Sequence, residues 1–369
     1  MIKTTHIDKL KIETSSPEFR KRMEEFVSFM EQPIDGRRFI DALRDIVSQP
    51  VRFTKLDNIE NLTLDEAKEL VASFYASIDS NTGERVAQIL NNNDPQVNLA
   101  IVEDTDVTPK GNVNHSGMNQ YVTLNCTYDN TIYGSIVLAH ETGHSISNNL
   151  TILAKLSQKM AQTPSSAIFE SYLQHRRRLS SLKPLNRDAV AEIESHIFES
   201  LYCDYLLQQG VIDEEYIDNF QDMRQASLYN NILTLLEDYT CIKGLRYPIT
   251  QENLQEQLTR SELPIGHIQD FLRRFEDKGF MFQHRIKYVI GEIVSTNWIN
   301  KYHTTSSQRT RSQMKHRLLT YLDKCYSYDV ESACKQLLNK DFATMTQDFI
   351  EIREHSLNAK EDSCEQTIL

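Results

Sequence analysis

The sequence is poor both in residues that break regular structure and in patterns that staple or anchor a chain. Only 11 glycines and 9 prolines occur in 369 residues. That is too few for a fibrous or low-complexity polymer, and with 40% hydrophobic and 25% charged residues the composition is that of a globular, helix-rich protein. The length leaves the domain count open. The six cysteines (Cys126, Cys203, Cys241, Cys325, Cys334 and Cys364) include no Cys-x-x-Cys pair, which argues against a zinc knuckle or a disulfide scaffold, so they read as reduced thiols. A basic excess is also missing. Forty Lys and Arg face 52 Asp and Glu, a net charge of −12, and a phosphate-backbone binder needs a concentrated basic surface, so no nucleic-acid partner is expected. No stretch approaches the ~20 apolar residues of a membrane span. Met1 to Lys11 is polar and lacks the apolar centre of a secretory signal.

The residues that are present favour helices. Apolar spacing in Phe19 to Met30 and in Phe39 to Val47 predicts two opening helices joined around Pro33 to Gly36. Thr63-Leu-Asp-Glu66 predicts a capping box that starts a third helix, and a fourth runs from about Thr82 to Leu90. The period then changes: Val97 to Val102 and Tyr121 to Leu124 are short β-branched runs bounded by turn residues, which predicts two strands. From Thr131 onward the pattern is helical, over Asp188 to Gln208, Glu214 to Leu236, Gly266 to Phe275, Phe280 to Tyr302 and Arg309 to Tyr326. The expected fold is mostly α, with a small sheet just before the richest motif. No internal repeat is visible, so a solenoid is not favoured.

That motif is Ile136-Val-Leu-Ala-His-Glu-Thr-Gly-His144. In a helix the four-residue spacing puts His140 and His144 on one face, one turn apart, so two imidazoles point at one ion. Zinc takes neutral imidazole nitrogens and, in catalytic sites, keeps one position open for a water whose pKa it lowers toward neutrality. Glu141, next on the helix, is the candidate general base. The alternative is two core histidines flanking a solvated glutamate. A third ligand has to come from elsewhere, and a glutamate on a second helix is the common solution when no third histidine follows closely. Two residues compete on spacing alone: Glu170 and Glu192.

The surroundings of these residues resemble the M3 family of oligopeptidases, in particular its oligoendopeptidase F branch. Tyr121-Val-Thr-Leu-Asn-Cys-Thr-Tyr-Asp-Asn followed by Ile136 to Ser145 is similar to that family's strand, turn and histidine helix. Ala191-Glu192-Ile193-Glu194-Ser195, then Glu199, then Asp204-Tyr-Leu-Leu207, is similar to the segment holding its ligand glutamate. The resemblance implies a mostly α, zincin-like (gluzincin) catalytic domain with a small β-sheet flanking the cleft. It also implies one zinc ion held by His140, His144 and Glu192, and hydrolysis of peptide bonds with Glu141 as general base. Glu199 is then expected to orient a ligand from behind. Tyr288, in Tyr288-Val-Ile-Gly-Glu-Ile-Val-Ser295, falls on the position of the family's oxyanion-stabilising tyrosine. Glu170 remains the fallback ligand if the extra stretch within Asn149 to Arg187, read as an inserted helical hairpin, displaces the second helix.

Met118 to Asn125 is expected to be an edge strand where an extended substrate adds by main-chain hydrogen bonds, which makes Tyr121 and Thr123 candidate substrate contacts. Lys110-Gly111 and His115 to Gly117 resemble the family's approach loop. Relatives carry more aromatic hydroxyls before the catalytic tyrosine, whereas here His284 and Arg285 stand as candidate substrate donors. His196 reads as a partnered core histidine. The expected organisation is an N-terminal helical segment (1–62), the catalytic domain (63–340, with 149–187 inserted) and a C-terminal helix with a polar tail (341–369). The chain is shorter than typical relatives, lacking most of the lobe that roofs the channel, which suggests a dedicated protein target. Cytoplasmic residence is expected, or non-classical secretion, since the polar Glu351 to Leu369 is similar to the secretion tails of some bacterial effectors. Its plainer reading is a frayed terminus. The rival readings are an inactive relative that binds peptides and a zinc hydrolase of a non-peptide amide.

Overall fold

The computed structural model describes residues 17–34, 36–52, 54, 56, 62–115, 122–146, 165–171, 173, 190, 192–244, 256, 282–322 and 328–366. They divide into two compact units, Met1–Val51 with Gln225–Val289 and Phe342–Leu369, and Arg52–Arg224 with Ile290–Asp341.

The first unit opens with α1 (Pro17–Met30) and α2 (Phe39–Ser48). Between them lies a two-residue antiparallel pair, β1 (Pro33–Ile34) with β2 (Arg37–Arg38), tightened by Gly36 at φ +76°. Phe39 is fully buried. Its ring meets Phe29 edge-on at 5.6 Å and lies 5.5 Å from Phe342, the first residue of the C-terminal helix Phe342–Gln366. Aromatic burial of this kind contributes about 1.5 to 3 kcal/mol per side chain. The expected frayed terminus is therefore helical to Gln366, anchored by Met345, Phe349 and Ile350 on its buried stripe.

The second unit contains the sheet and the motif. Thr63 caps α3 (Leu64–Ile78): its hydroxyl accepts from the Glu66 amide while Glu66 returns to the Thr63 amide, the reciprocal capping box. Asp79 caps the next helix, α4 (Ser80–Leu90). Gly83 lets these two helices close, since a Cβ there would stand 2.4 Å from Ala76. Three strands follow, β3 (Val97–Glu103), β4 (Lys110–His115) and β5 (Val122–Tyr128), in spatial order β3-β5-β4. β3 runs parallel to β5 and β4 antiparallel to it.

This topology corrects two expectations. Lys110 to His115 is a strand and not a loop; its polar Lys-Gly-Asn-Val-Asn-His composition hides it from any apolar periodicity. β5, which carries Thr123, is the central strand, paired on both sides by Asn98 and Asn114, so its main chain is already committed. Among the described strands of this sheet the edges are β3 and β4. Tyr121 and Met118 lie outside the described residues.

The remaining helices are α5 (Ile132–Ile146), α6 (Ile193–Gln208), α7 (Glu214–Gly244), α8 (Phe282–Thr304), α9 (Gln308–Leu322) and α10 (Val330–Leu338). The C-terminal helix of the first unit is α11. The fold is thus mostly α with a small sheet. The expected helix over Gly266 to Phe275 lies outside the described residues, as does most of 149–187. No helix among the described residues is long and apolar enough to cross a membrane.

Candidate metal centre

Helix α5 is buried on nearly every side, against β5, β4, α3 and α6, which explains why it lacks a polar face. Its start is fixed by polar contacts. Asp129 Oδ1 accepts from the Thr131 hydroxyl at 2.6 Å, and the Thr131 hydroxyl accepts from the Gly134 amide at 3.0 Å. A residue larger than glycine at 134 would put its Cβ 2.6 Å from Asp129 Oδ1. Thr142 and Ser145 cap carbonyls one turn back, and Tyr75 donates to the Ala139 carbonyl at 2.8 Å. These bonds satisfy the Tyr75, Thr142 and Ser145 hydroxyls that flank the histidine pair.

Three donor atoms converge. His140 Nε2 and His144 Nε2 are 3.1 Å apart, and Glu192 Oε2 lies 3.1 Å from the first and 3.4 Å from the second. Three ligands at zinc's usual bond lengths on a tetrahedron stand about 3.3 Å from one another. The observed triangle has the edges of one face of such a tetrahedron, so the three residues fit a single divalent ion and could hold one. All three are buried. Glu192 is the N-cap residue of α6 rather than a residue within it. Glycine at 291 on α8 makes room for it, because a Cβ there would lie 2.9 Å from the Cβ of Glu192.

Each imidazole is held from behind. His140 Nδ1 lies 2.7 Å from Glu199 Oε1. An imidazole nitrogen that close to a carboxylate carries the hydrogen, which leaves the Nε2 lone pair facing Glu192 and His144 when the ring is neutral. His144 Nδ1 faces the Ser195 hydroxyl at 3.0 Å and Glu194 Oε1 at 3.4 Å. In the metal-free protein, burial disfavours the charged rings, but the carboxylates outweigh it. Glu199 and Glu192 raise the His140 pKa well above its ordinary value, and Glu192 and Glu194 push His144 up to about 9.

Behind Glu199 the charges continue. Burial raises its pKa, but His140 and Arg224 together hold it down at about 2. Arg224 of α7 lies 3.6 Å from Glu199 Oε2 and donates to Glu292 Oε2 and to the Ser200 hydroxyl. His196 Nδ1 is 3.1 Å from the same Glu292 oxygen, so this histidine is partnered and buried.

Glu141 is buried on the same helix, next to the glycine of β4. A Cβ at Gly111 would stand 2.2 Å from Glu141 Cγ and 2.8 Å from its Oε1. The strand's backbone therefore passes directly against the carboxylate, as an isolated glycine in a strand often signals. Glu170, the fallback ligand, is exposed on helical residues 166–171 and is not part of the converging group. Tyr288 is half-buried in the first unit with Lys287 Nζ over its ring at 5.0 Å, and Arg285 there donates to Asn231 at 3.2 Å. The side chain of His284 lies outside the described residues.

Sequence reasoning missed Gly111, Glu194, Ser195, Arg224, Gly291 and Glu292. Gly111 and Gly291 offered a weak signal as lone glycines within regular elements. Glu194 and Ser195 stood in the quoted segment without an assigned partner. Arg224 and Glu292 carried no local signal, since their partners are remote in the chain.

Among proteins of known structure, the chain is similar to one from Bacillus anthracis str. Ames described as a proposed oligoendopeptidase F. The TM-score is 0.47 and the identity 13%, over 97% of this chain and 56% of that one. The chain thus spans little more than half of that protein's length. No family model matches, and no curated protein matches in sequence.

Proposed function

We propose that this protein is a zinc-dependent endopeptidase acting on an extended peptide or an exposed protein segment. The observation that carries the reading is the triangle of His140 Nε2, His144 Nε2 and Glu192 Oε2, with edges of 3.1 to 3.4 Å, beside a buried glutamate on the same helix. A zinc ion bound there would supply a Lewis acid and a water of lowered pKa. Glu141 accepts the proton of the attacking water and delivers it to the leaving amide nitrogen. The β4 backbone at Gly111 keeps that carboxylate from turning away, which is how a base is held in a productive rotamer. The phenol of Tyr288 donates to the oxygen that becomes negative as the carbonyl is attacked; this role rests on the resemblance of its segment to M3 peptidases. Substrate adds along an open edge of the sheet, for which β4 is the candidate because it borders Glu141.

Elemental analysis of the purified protein beside Glu192→Gln and Glu170→Gln tests the ligand set. About one zinc per chain is expected in the wild type and in Glu170→Gln, with loss from Glu192→Gln. Glu141→Gln is expected to keep its zinc while cleavage of a peptide library falls roughly 100- to 10,000-fold. A wild type that takes up no zinc removes the reading. A zinc-loaded wild type that binds peptides but cuts none makes the protein a peptide-binding module.

A further inference from the structure

The centre of the second unit is crowded with acid. Glu192, Glu194 and Glu292 are buried and Glu199 is half-buried, all on or at the start of α6 or on α8. The guanidinium of Arg224 enters this cluster from α7, with a side chain only 12% exposed.

Its contacts have a definite order. Glu199 divides its two oxygens, Oε1 to His140 Nδ1 at 2.7 Å and Oε2 toward Arg224 Nη1 at 3.6 Å. Arg224 is itself held on the far side. Its Nε donates to Glu292 Oε2 at 3.1 Å, Nη2 donates to the same oxygen, and Nη1 donates to the Ser200 hydroxyl at 2.7 Å and to the His196 carbonyl at 3.4 Å. Glu292 is fixed in turn by His196 Nδ1 at 3.1 Å and by the Thr296 hydroxyl at 3.2 Å. A planar fork with several donors can span two carboxylates, which a single ammonium cannot do equally well.

We infer that Arg224, anchored by Glu292, is a positioning residue for the metal centre: it holds Glu199 aimed at His140 Nδ1 so that His140 Nε2 stays turned toward the ion. The chain of contacts runs Glu292, Arg224, Glu199, His140. Residues that orient a ligand from behind commonly contribute 10- to 100-fold to metal affinity. A merely structural role, tying α6, α7 and α8 together, would change folding stability and leave the affinity of the folded protein alone.

The inference rests on the metal reading given above, and the experiment separates the two. Zinc affinity is measured by competition with a chromophoric chelator on the full chain, alongside thermal unfolding of each metal-free variant. Arg224→Met is expected to bind zinc about tenfold more weakly or worse than the wild type. In a Glu199→Gln background the same substitution is expected to cost less than about twofold, because the route it acts through is already cut. Arg224→Lys and Glu292→Gln, which disturb the bridge while sparing more of the fold, are expected to lose a few-fold each. Wild-type zinc affinity in Arg224→Met overturns the inference; if that variant does not fold, wild-type affinity in both Arg224→Lys and Glu292→Gln does so. Full multiplication of the losses in the double variant also overturns it, since Arg224 would then act independently of Glu199. A wild type that binds no zinc fails the metal reading instead.

Discussion

The two histidines of the centre lie one turn apart on a single helix, yet they are supported in different ways. His140 leans on an ionised carboxylate at 2.7 Å that itself faces a half-buried guanidinium at 3.6 Å. His144 leans on a serine hydroxyl at 3.0 Å and on a carboxylate at 3.4 Å. A charge-assisted hydrogen bond is shorter and roughly twice as strong as a neutral one. The His140 half thus rests on one short charged contact, whereas the His144 half rests on a neutral hydroxyl and a longer carboxylate contact. A single local motif has been completed in two different ways by residues of one helix, α6, and equal spacing in sequence does not imply equal roles in space.

The largest effect expected from this asymmetry is on metal affinity. Glu199→Gln should weaken zinc binding roughly 10- to 100-fold, while Ser195→Ala should weaken it only a few-fold. Equal losses in a chelator competition would break the comparison.

Proton release sharpens it. With the His140 pKa raised well above its ordinary value and that of His144 pushed up to about 9 in the metal-free protein, the histidine pair retains protons at neutrality that a metal must displace. Titration calorimetry at pH 7 in buffers of different ionisation enthalpy should show between one and about two protons released per zinc. The release should shrink as pH rises through about 9, where His144 gives up its proton without the metal. The same raised values stabilise the metal-free fold fully below the ordinary 6.5, a contribution lost as pH rises through about 9 for His144.

The opposite sign applies to Glu199. Its pKa falls from 4.5 to about 2 on folding, so its contribution is present above 4.5 and disappears as pH drops toward 2. Acid unfolding of the metal-free protein, followed by circular dichroism, should be shallower across that window in Glu199→Gln than in the wild type. An unchanged slope would mean that other carboxylates, Glu292 foremost, carry the acid sensitivity.

A fourth and smaller effect concerns Gly111. Alanine there would place a methyl group 2.2 Å from Glu141 Cγ. Overpacking of this kind costs about 1 to 3 kcal/mol, and here it falls on the base and not on the ligands. Zinc content should stay near the wild-type level while peptide turnover falls. Loss of zinc in Gly111→Ala would show that β4 supports the ligand helix as a whole.

Much of this centre can be read from the sequence wherever the interaction is local. The Thr63 capping box formed as expected because both partners sit within one turn of each other. His140 and His144 share a face because an i,i+4 spacing leaves a helix no alternative. Spacing alone could not choose between Glu170 and Glu192. Resemblance pointed to Glu192, and the structure brings Glu192 to the two imidazoles while Glu170 stays exposed. β4 was illegible because alternating apolar residues are absent from it, its strand identity coming from the ladder with β5. The central place of β5 was hidden for a related reason: strand order depends on which partners pair, and no single strand encodes that.

The sequence by itself determined the helical character, the helix start at Thr63, and one face presenting two imidazoles. These rest on propensity, capping and periodicity, which act within a few residues. Only the tertiary structure decided that Glu192 completes the triangle, that Gly111 and Gly291 bring backbone against Glu141 and Glu192, and that Arg224 stands between Glu199 and Glu292. Those contacts join residues tens of positions apart, and they form because burial leaves each charged group little solvent and therefore requires a partner from elsewhere in the chain.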